Sequence, residues 1–377
     1  MFKKLSLVIA TYLLIAILNP TSVTAKAESQ DGQQVVKAQV IEIIENGTKK
    51  IDLPGGDIFS PYQIVKVRII DGYDNGQEIT INHGGQFSIR AYQKVALFET
   101  VVLTKIYTQE TTPEYFIVDK YRLNHIIGLT FLFFAAVVVL SRTKGVGSIM
   151  GMLISLLVIV KFIVPQILKG SDPLTVSILG SIFILIVSIY LAHGFSKSTS
   201  VAVASTSLTL VLTGLLSIAF VNIAKLTGLG SEEATSLQIG ITENINFRGL
   251  FLGGMIIGFL GVLDDITTSL SATIFEIKKV NPKLSFSSLV RSGLTVGHEH
   301  IASLVNTLIL AYAGASLPLF LFIVLNPQGY PLWFIINSEL IAEEIARTLV
   351  GSMGLLFAVP TTTLIASWVN SNPKKLS

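Results

Sequence analysis

Seven apolar runs of nearly twenty residues or more follow one another from residue 123 onward, at roughly 123–141, 146–165, 174–193, 200–222, 247–277, 300–325 and 347–369. As a helix rising 1.5 Å per residue, each is long enough to cross a hydrocarbon core of about 30 Å. In hydrocarbon every backbone amide needs an internal partner, so helices packed on one another are the fold open to such a stretch of chain. The rest of the composition agrees. Of 377 residues 51% are hydrophobic and 14% charged, and the mean hydropathy is +0.67, far above that of an ordinary soluble domain. The expected class is an α-helical polytopic membrane protein.

Two segments precede the spans. Residues 1–25 open on Lys3 and Lys4, continue apolar and end at Val23-Thr24-Ala25, a pattern that reads either as a signal peptide or as an uncleaved N-terminal anchor. From 34 to 121 the texture changes to short β-branched runs such as VVKAQVIEII, YQIVKVRIID and KVALFETVVL, separated by turn signals LPGGD, DGYDNG and NHGG. This predicts a small all-β domain, five-stranded and barrel-like, exported ahead of a transmembrane helical domain at 122–370. The positive residues of the short loops sort consistently: Arg142, Lys144, Lys197, Lys278, Lys279, Lys283, Arg291, Lys374 and Lys375 fall inside if the β domain is outside. The long outer loop 222–249, with Glu232, Glu233 and Glu243, has room for a short interfacial helix.

Several chemistries are excluded by what the sequence lacks. Without cysteine there is no disulfide, thiolate metal site or cysteine nucleophile. A net charge of +3 dispersed along the chain does not suggest nucleic acid, and no phosphate loop, nucleotide fingerprint or GxSxG elbow occurs. No cofactor is implied.

Polar groups within the spans carry what functional signal there is. Asp264 and Asp265 end the apolar run GLFLGGMIIGFLGVL, and as a helix the following residues put Asp264, Thr267, Thr268 and Ser271 on one face. Ionised carboxylates are costly in hydrocarbon, so this stripe reads as an ion or proton pathway; the bland alternative is that one Asp caps a second half-helix from Ile266. The span from Phe247 is too long for a straight crossing, and is expected to be tilted or broken. A second polar group, His298, Glu299 and His300, opens the next span from the same side, and reads either as part of that pathway or as an interfacial cluster. Its spacing fits no zinc signature. Glu343 and Arg347, four residues apart, are expected to form a structural ion pair that also relieves repulsion from Glu339. Pro360, followed by three threonines, predicts a kink. Gly147/Gly151 and Gly254/Gly258 predict close helix packing.

Three ordered motifs, GFLGVLDDITTSLSATIFEI, GHEHIASLVNTLILAYAGASLPL and EEIARTLVGSMGLLFAVPTTT, resemble the YibE/YibF-like family of bacterial multipass membrane proteins, over residues from about Arg122 to Ala366. The β domain ahead of the spans is similar to the YibE-type member, which implies location in the bacterial cell membrane and a shorter YibF-type homologous partner. The polar site of Asp264, Asp265, Thr268, Ser271, Glu299 and His300 then reads as that of a transporter or permease-like component for a small solute or ion. The alternative is a non-transporting assembly factor or sensor whose β domain binds a ligand or partner. No enzyme activity is expected; an intramembrane hydrolase is a third reading, against which stands the adjacency of its two carboxylates.

Overall fold

The computed structural model describes residues 34–371 apart from 54–55, 86–87, 108–112, 241–244 and 327. The N-terminal signal or anchor and the tail lysines Lys374 and Lys375 lie outside the described residues. Two compact units divide between Ala136 and Val137.

The first unit is an antiparallel five-stranded half-barrel. Its strands β1 (Gln34–Leu53), β2 (Gly56–Ile69), β3 (Glu78–His83), β4 (Thr100–Tyr107) and β5 (Pro113–Lys120) lie in the order β3-β2-β1-β4-β5. The long β1 is the centre, pairing Val40 with Val67 on one side and Val36 with Leu103 on the other. The period-two pattern of the sequence sends Val36, Ala38, Val40, Val65, Val67, Val101 and Leu103 inward as the core. Register shifts at Val40/Glu42 and Ile43/Glu45 are β-bulges, which strengthen twist and curl the sheet. Within it, Lys105 is buried, donates to Asp74 at 2.6 Å, and is joined there by the Tyr115 hydroxyl at 3.1 Å. That pairing holds the Asp74 carboxyl below the usual carboxylate range.

His83, the last residue of β3, is buried with Nε2 3.0 Å from the Gln93 carbonyl oxygen. Burial pushes its imidazole below the ordinary value of 6.5. The fold therefore favours the neutral ring. Its contribution is complete above about pH 6.5 and is lost as pH falls from there through the lowered folded value. Protease susceptibility of the half-barrel in the intact chain is expected to rise between pH 7 and 5, and to rise less in His83→Gln. An identical pH dependence in that variant would remove His83 as the cause.

The second unit is helical. Helix α1 (Leu123–Val158) is interrupted at Arg142, whose φ of 52° and ψ of −126° are not helical. A Cβ placed on Gly145 would lie 2.5 Å from the Val137 carbonyl oxygen. Residues eight apart in a straight helix are separated by about 12 Å along the axis, so the chain reverses at Arg142. After a π-helical turn (Ile159–Ile163) come α2 (Val164–Leu168), α3 (Pro173–His193), α4 (Lys197–Ile223), α5 (Glu232–Gly240), α6 (Phe247–Val280), α7 (Phe286–Ala315), α8 (Leu317–Leu325), α9 (Leu332–Asn337) and α10 (Glu339–Ser371). The short α5 lies in the loop where such a helix was expected.

Among the described residues five helices can cross a membrane by length and composition, and six if α7 and α8, bent by 67°, are one span. The reversal at Arg142 falls at the junction of the first two apolar runs of the sequence, within the one candidate span Leu123–Leu168. The bend between α7 and α8 falls at Ser316, just before Pro318, whose missing N–H and bulky ring interrupt the ladder. Helices α3, α4, α6 and α10 form the core around the buried face of α6, including Met255, Phe259, Leu263, Ile266 and Leu270.

The alternative of a second half-helix starting at Ile266 is not found. α6 is one continuous helix of 34 residues, begun by Asn246, whose side chain accepts from the Gly249 amide. Neither Asp264 nor Asp265 caps a half-helix. α10 likewise runs unbroken through Pro360, and the Thr362 and Thr363 hydroxyls behind it are buried without a hydrogen-bond partner. The glycine pairs also separate. Gly147 and Gly151 meet α3, their Cβ positions lying 2.1 Å from the Leu191 carbonyl oxygen and 3.2 Å from the Ser188 Cα. Gly254 and Gly258 have nothing within 4 Å among the described residues. Gly293 and Gly297 of α7, not singled out by the sequence, instead pack on Thr363 and Val359 of α10.

Candidate functional site

The close approach of α1 to α3 at Gly147 and Gly151 brings three helix faces around one cavity. It measures about 340 Å³, with Ser148 and Ser155 from α1, Ser188 and His193 from α3, and Gly261 and Asp264 from α6 among its walls. The Oδ1 atom of Asp264 is buried there without a hydrogen-bond partner. A buried carboxylate oxygen with no donor is costly, and calls for a bound proton, ion or water. The serines are suitable neighbours: Ser155 donates its hydroxyl to the Gly151 carbonyl at 2.8 Å, which leaves the oxygen lone pairs free to accept. Carboxylate and hydroxyl oxygens together are hard ligands, matched to a proton or a small hard cation.

A second cavity, of about 220 Å³, lies along the same pair of helices. Lys144 of α1, His193 of α3, Ser196 and Ser198 beside and within α4, and Thr268 and Glu276 of α6 are among its walls. On α6 the two cavities are served by one stripe, Gly261, Asp264, Thr268, Ala272 and Glu276, spaced three or four residues apart.

The predicted site residues thus part company. Asp264 and Thr268 line the cavities, and the Thr268 hydroxyl donates to the Asp264 backbone carbonyl at 2.8 Å. Asp265 points to the exposed side of α6. Ser271 is buried and ties α6 to α4, donating to the Ser198 carbonyl at 2.8 Å, while Thr267 and Thr206 bridge the same helices at 2.5 Å. Glu299 and His300 line neither cavity; Glu299 is exposed and His300 partly so, as is expected of an interfacial cluster. The stripe read from the sequence is therefore half cavity wall and half helix-to-helix fastening.

The expected pair of Glu343 and Arg347 is corrected as well. Arg347 pairs with Glu344 at 2.9 Å, one residue further along the helix. Buried Glu343 accepts instead from the Gly230 amide at 3.0 Å, and Glu339 accepts from the Gly228 amide at 3.1 Å and the Thr227 hydroxyl at 2.6 Å. Both acids hold the loop 227–230 against the start of α10, work that backbone amides invite and that i,i+4 spacing does not reveal.

The sequence did not flag His193. Its signal was present in LAHGFSKS, a titratable ring closing an apolar span, but the two histidines of GHEH drew the attention. Among the described residues no group of three or more His, Asp or Glu is placed to hold a metal ion.

Fold and site define a polytopic helical membrane protein with a serine- and aspartate-lined cavity among its helices and a small β half-barrel ahead of it in sequence. Its family is set by a match of the YibE/F-like protein model to residues 129–372. The chain belongs to the YibE/F-like family, and the match spans nearly all of the helical part while leaving the half-barrel outside. No curated protein and no solved structure matches it.

Proposed function

We propose that the chain is a transporter or permease-like component that moves a small ion, a proton or hard monovalent cation, through its helical unit, with Asp264 as the polar site. The observation that carries this reading is the buried, unpartnered Oδ1 of Asp264, a residue that lines a cavity of about 340 Å³ together with Ser148, Ser155 and Ser188. Charged groups within membrane helices are rare and serve ion or proton paths by default. The test is purified chain in lipid vesicles loaded with a proton- or sodium-sensitive dye under an imposed gradient. Flux above that of empty vesicles is expected; its absence for both ions would sink the reading.

The half-barrel is proposed to lie outside, with the loop 278–298 and the C-terminus in the cytoplasm. In support, Lys144 shares the second cavity with Ser196 and Glu276, so the parts of α1, α4 and α6 that carry Lys144, Lys197 and Lys278 lie near one another. A cytoplasm-dependent reporter fused after Lys375 should be active, and a silent but stable fusion would reverse the orientation. A shorter chain of the same family is the proposed membrane partner. The open space over Gly254 and Gly258 is consistent with a further helix there; failure to co-purify from mild detergent, with both chains present, counts against it.

A second reading, in which the half-barrel binds a ligand or partner, is favoured by its open groove. This has about 1130 Å³, with Tyr62, Ile79, Asn82, Tyr115 and Phe116 among its walls.

A further inference from the structure

His193 is the one residue shared by the walls of the two cavities described above. The two cavities follow one another along the same helices. On α6 the walls run from Gly261 and Asp264 to Thr268 and Glu276, and on antiparallel α1 from Ser155 and Ser148 to Lys144. From Asp264 to Glu276 the distance along the helix is about 18 Å, enough to lead from the middle of a membrane to its edge. We propose that the cavities are two sections of one aqueous half-channel running from the Lys144/Glu276 end to Asp264, and that the His193 side chain is the gate between them. The proposal rests on the reading of Asp264 as the polar site, and adds the route to it and the device that closes it.

The local chain suits a gate. His193 is the last residue of α3, and Gly194, with a φ of 76°, turns the chain away at once. Ser196 then caps α4, accepting from the Thr199 amide at 3.0 Å, while Tyr190 stacks on Phe195 with ring centroids 4.4 Å apart. The backbone on both sides of the ring is thereby fixed, and the imidazole itself hydrogen-bonds to nothing among the described residues. A ring on a fixed backbone moves by rotamer change alone, which is fast compared with helix motion. Charges act on it from two elements, Lys144 of α1 and, from the exposed side of α6, Asp265, while Asp264 and Glu276 of α6 share its two cavities. A cation arriving from Glu276 passes Thr268 and the α4 hydroxyls before the ring, and finds oxygen ligands on both sides of it.

The chain contains no cysteine, so a single introduced thiol reports its own accessibility. Ser155→Cys marks the Asp264 cavity and Ala272→Cys the outer one; each is made with His193 retained, with His193→Ala and with His193→Gln. The probe is a membrane-impermeant methanethiosulfonate, applied from the Lys144/Glu276 side of oriented membrane vesicles. Ala272→Cys should react quickly in all three, which shows that the reagent reaches the outer section, and slow labelling of Ser155→Cys in His193→Gln shows that the fold is intact. Ser155→Cys should react slowly, accelerate by about tenfold in His193→Ala, equivalent to roughly 1.4 kcal/mol of closed-state bias, and remain slow in His193→Gln, whose side chain still fills the gap. Equal Ser155→Cys rates in all three backgrounds, or acceleration by Gln as large as by Ala, would overturn the gate. Labelling needs no flux, so the gate can fail while Asp264 remains essential, and the Asp264 reading can fail while the gate stands.

Discussion

Asp264→Asn is expected to abolish ion flux, by roughly a hundredfold or more, the lower end of what a positioned proton-transfer group contributes, while Asp265→Asn keeps most of it. The two residues are neighbours in sequence and differ in surroundings. Asp264 lines a cavity with serine hydroxyls and has one carboxyl oxygen buried and unpartnered, whereas Asp265 sits on the exposed side of the helix. Asparagine keeps the size and hydrogen bonding of aspartate and removes the charge. Because α6 is continuous and is capped at Asn246, neither substitution disturbs a helix end, and neutralising a buried unpaired charge costs no stability. Flux and thermal melting in detergent, measured on the same preparations, check both halves. Equal flux in the two variants, or a loss in Asp264→Asn that tracks a loss of folded protein, would contradict the assignment.

Gly147→Ala is expected to destabilise the helical unit by about 1–3 kcal/mol, the usual scale of overpacking, whereas Gly258→Ala should be neutral or gain up to about 1 kcal/mol of helix propensity. The new methyl at Gly147 would stand 2.1 Å from the Leu191 carbonyl oxygen. That neighbour is backbone, so α1 and α3 must part, and with them the cavity walls Ser148, Ser188 and His193. At Gly258 nothing lies within 4 Å among the described residues. Melting temperatures of the single variants decide it. Equal destabilisation at both positions would mean that a helix covers Gly258 when the protein is assembled, and greater loss at Gly258 would refute the packing described for Gly147.

The membrane class, the apolar runs and the β texture were legible because each rests on a period or length that local chemistry imposes. Val36, Ala38 and Val40 alternate as a half-buried strand must, and the 174–193 run became α3 at almost the expected bounds. What failed were inferences about how one element bends or meets another. The Asp264–Asp265 pair suggested the start of a second half-helix, yet α6 runs on continuously from its cap at Asn246. Gly254/Gly258 and Gly293/Gly297 have the same spacing, and only tertiary contact distinguishes the pair that packs from the pair that does not. In the candidate site Asp264 and Thr268 could be read from helical periodicity. Ser148, Ser188 and His193 could not, because they come from helices more than fifty residues away in sequence, brought in by glycines whose partners the sequence does not name.

The central claim is that ions pass through the carboxyl of Asp264, and carbodiimide chemistry addresses that atom. A hydrophobic carbodiimide adds to a protonated carboxyl in an apolar setting and leaves a neutral N-acylurea, which peptide mass mapping locates. Flux through vesicles containing the intact chain is measured as a function of the fraction of Asp264 modified. It should fall in direct proportion, reaching the level of empty vesicles when Asp264 is fully modified. Undiminished flux with Asp264 fully converted would contradict the account.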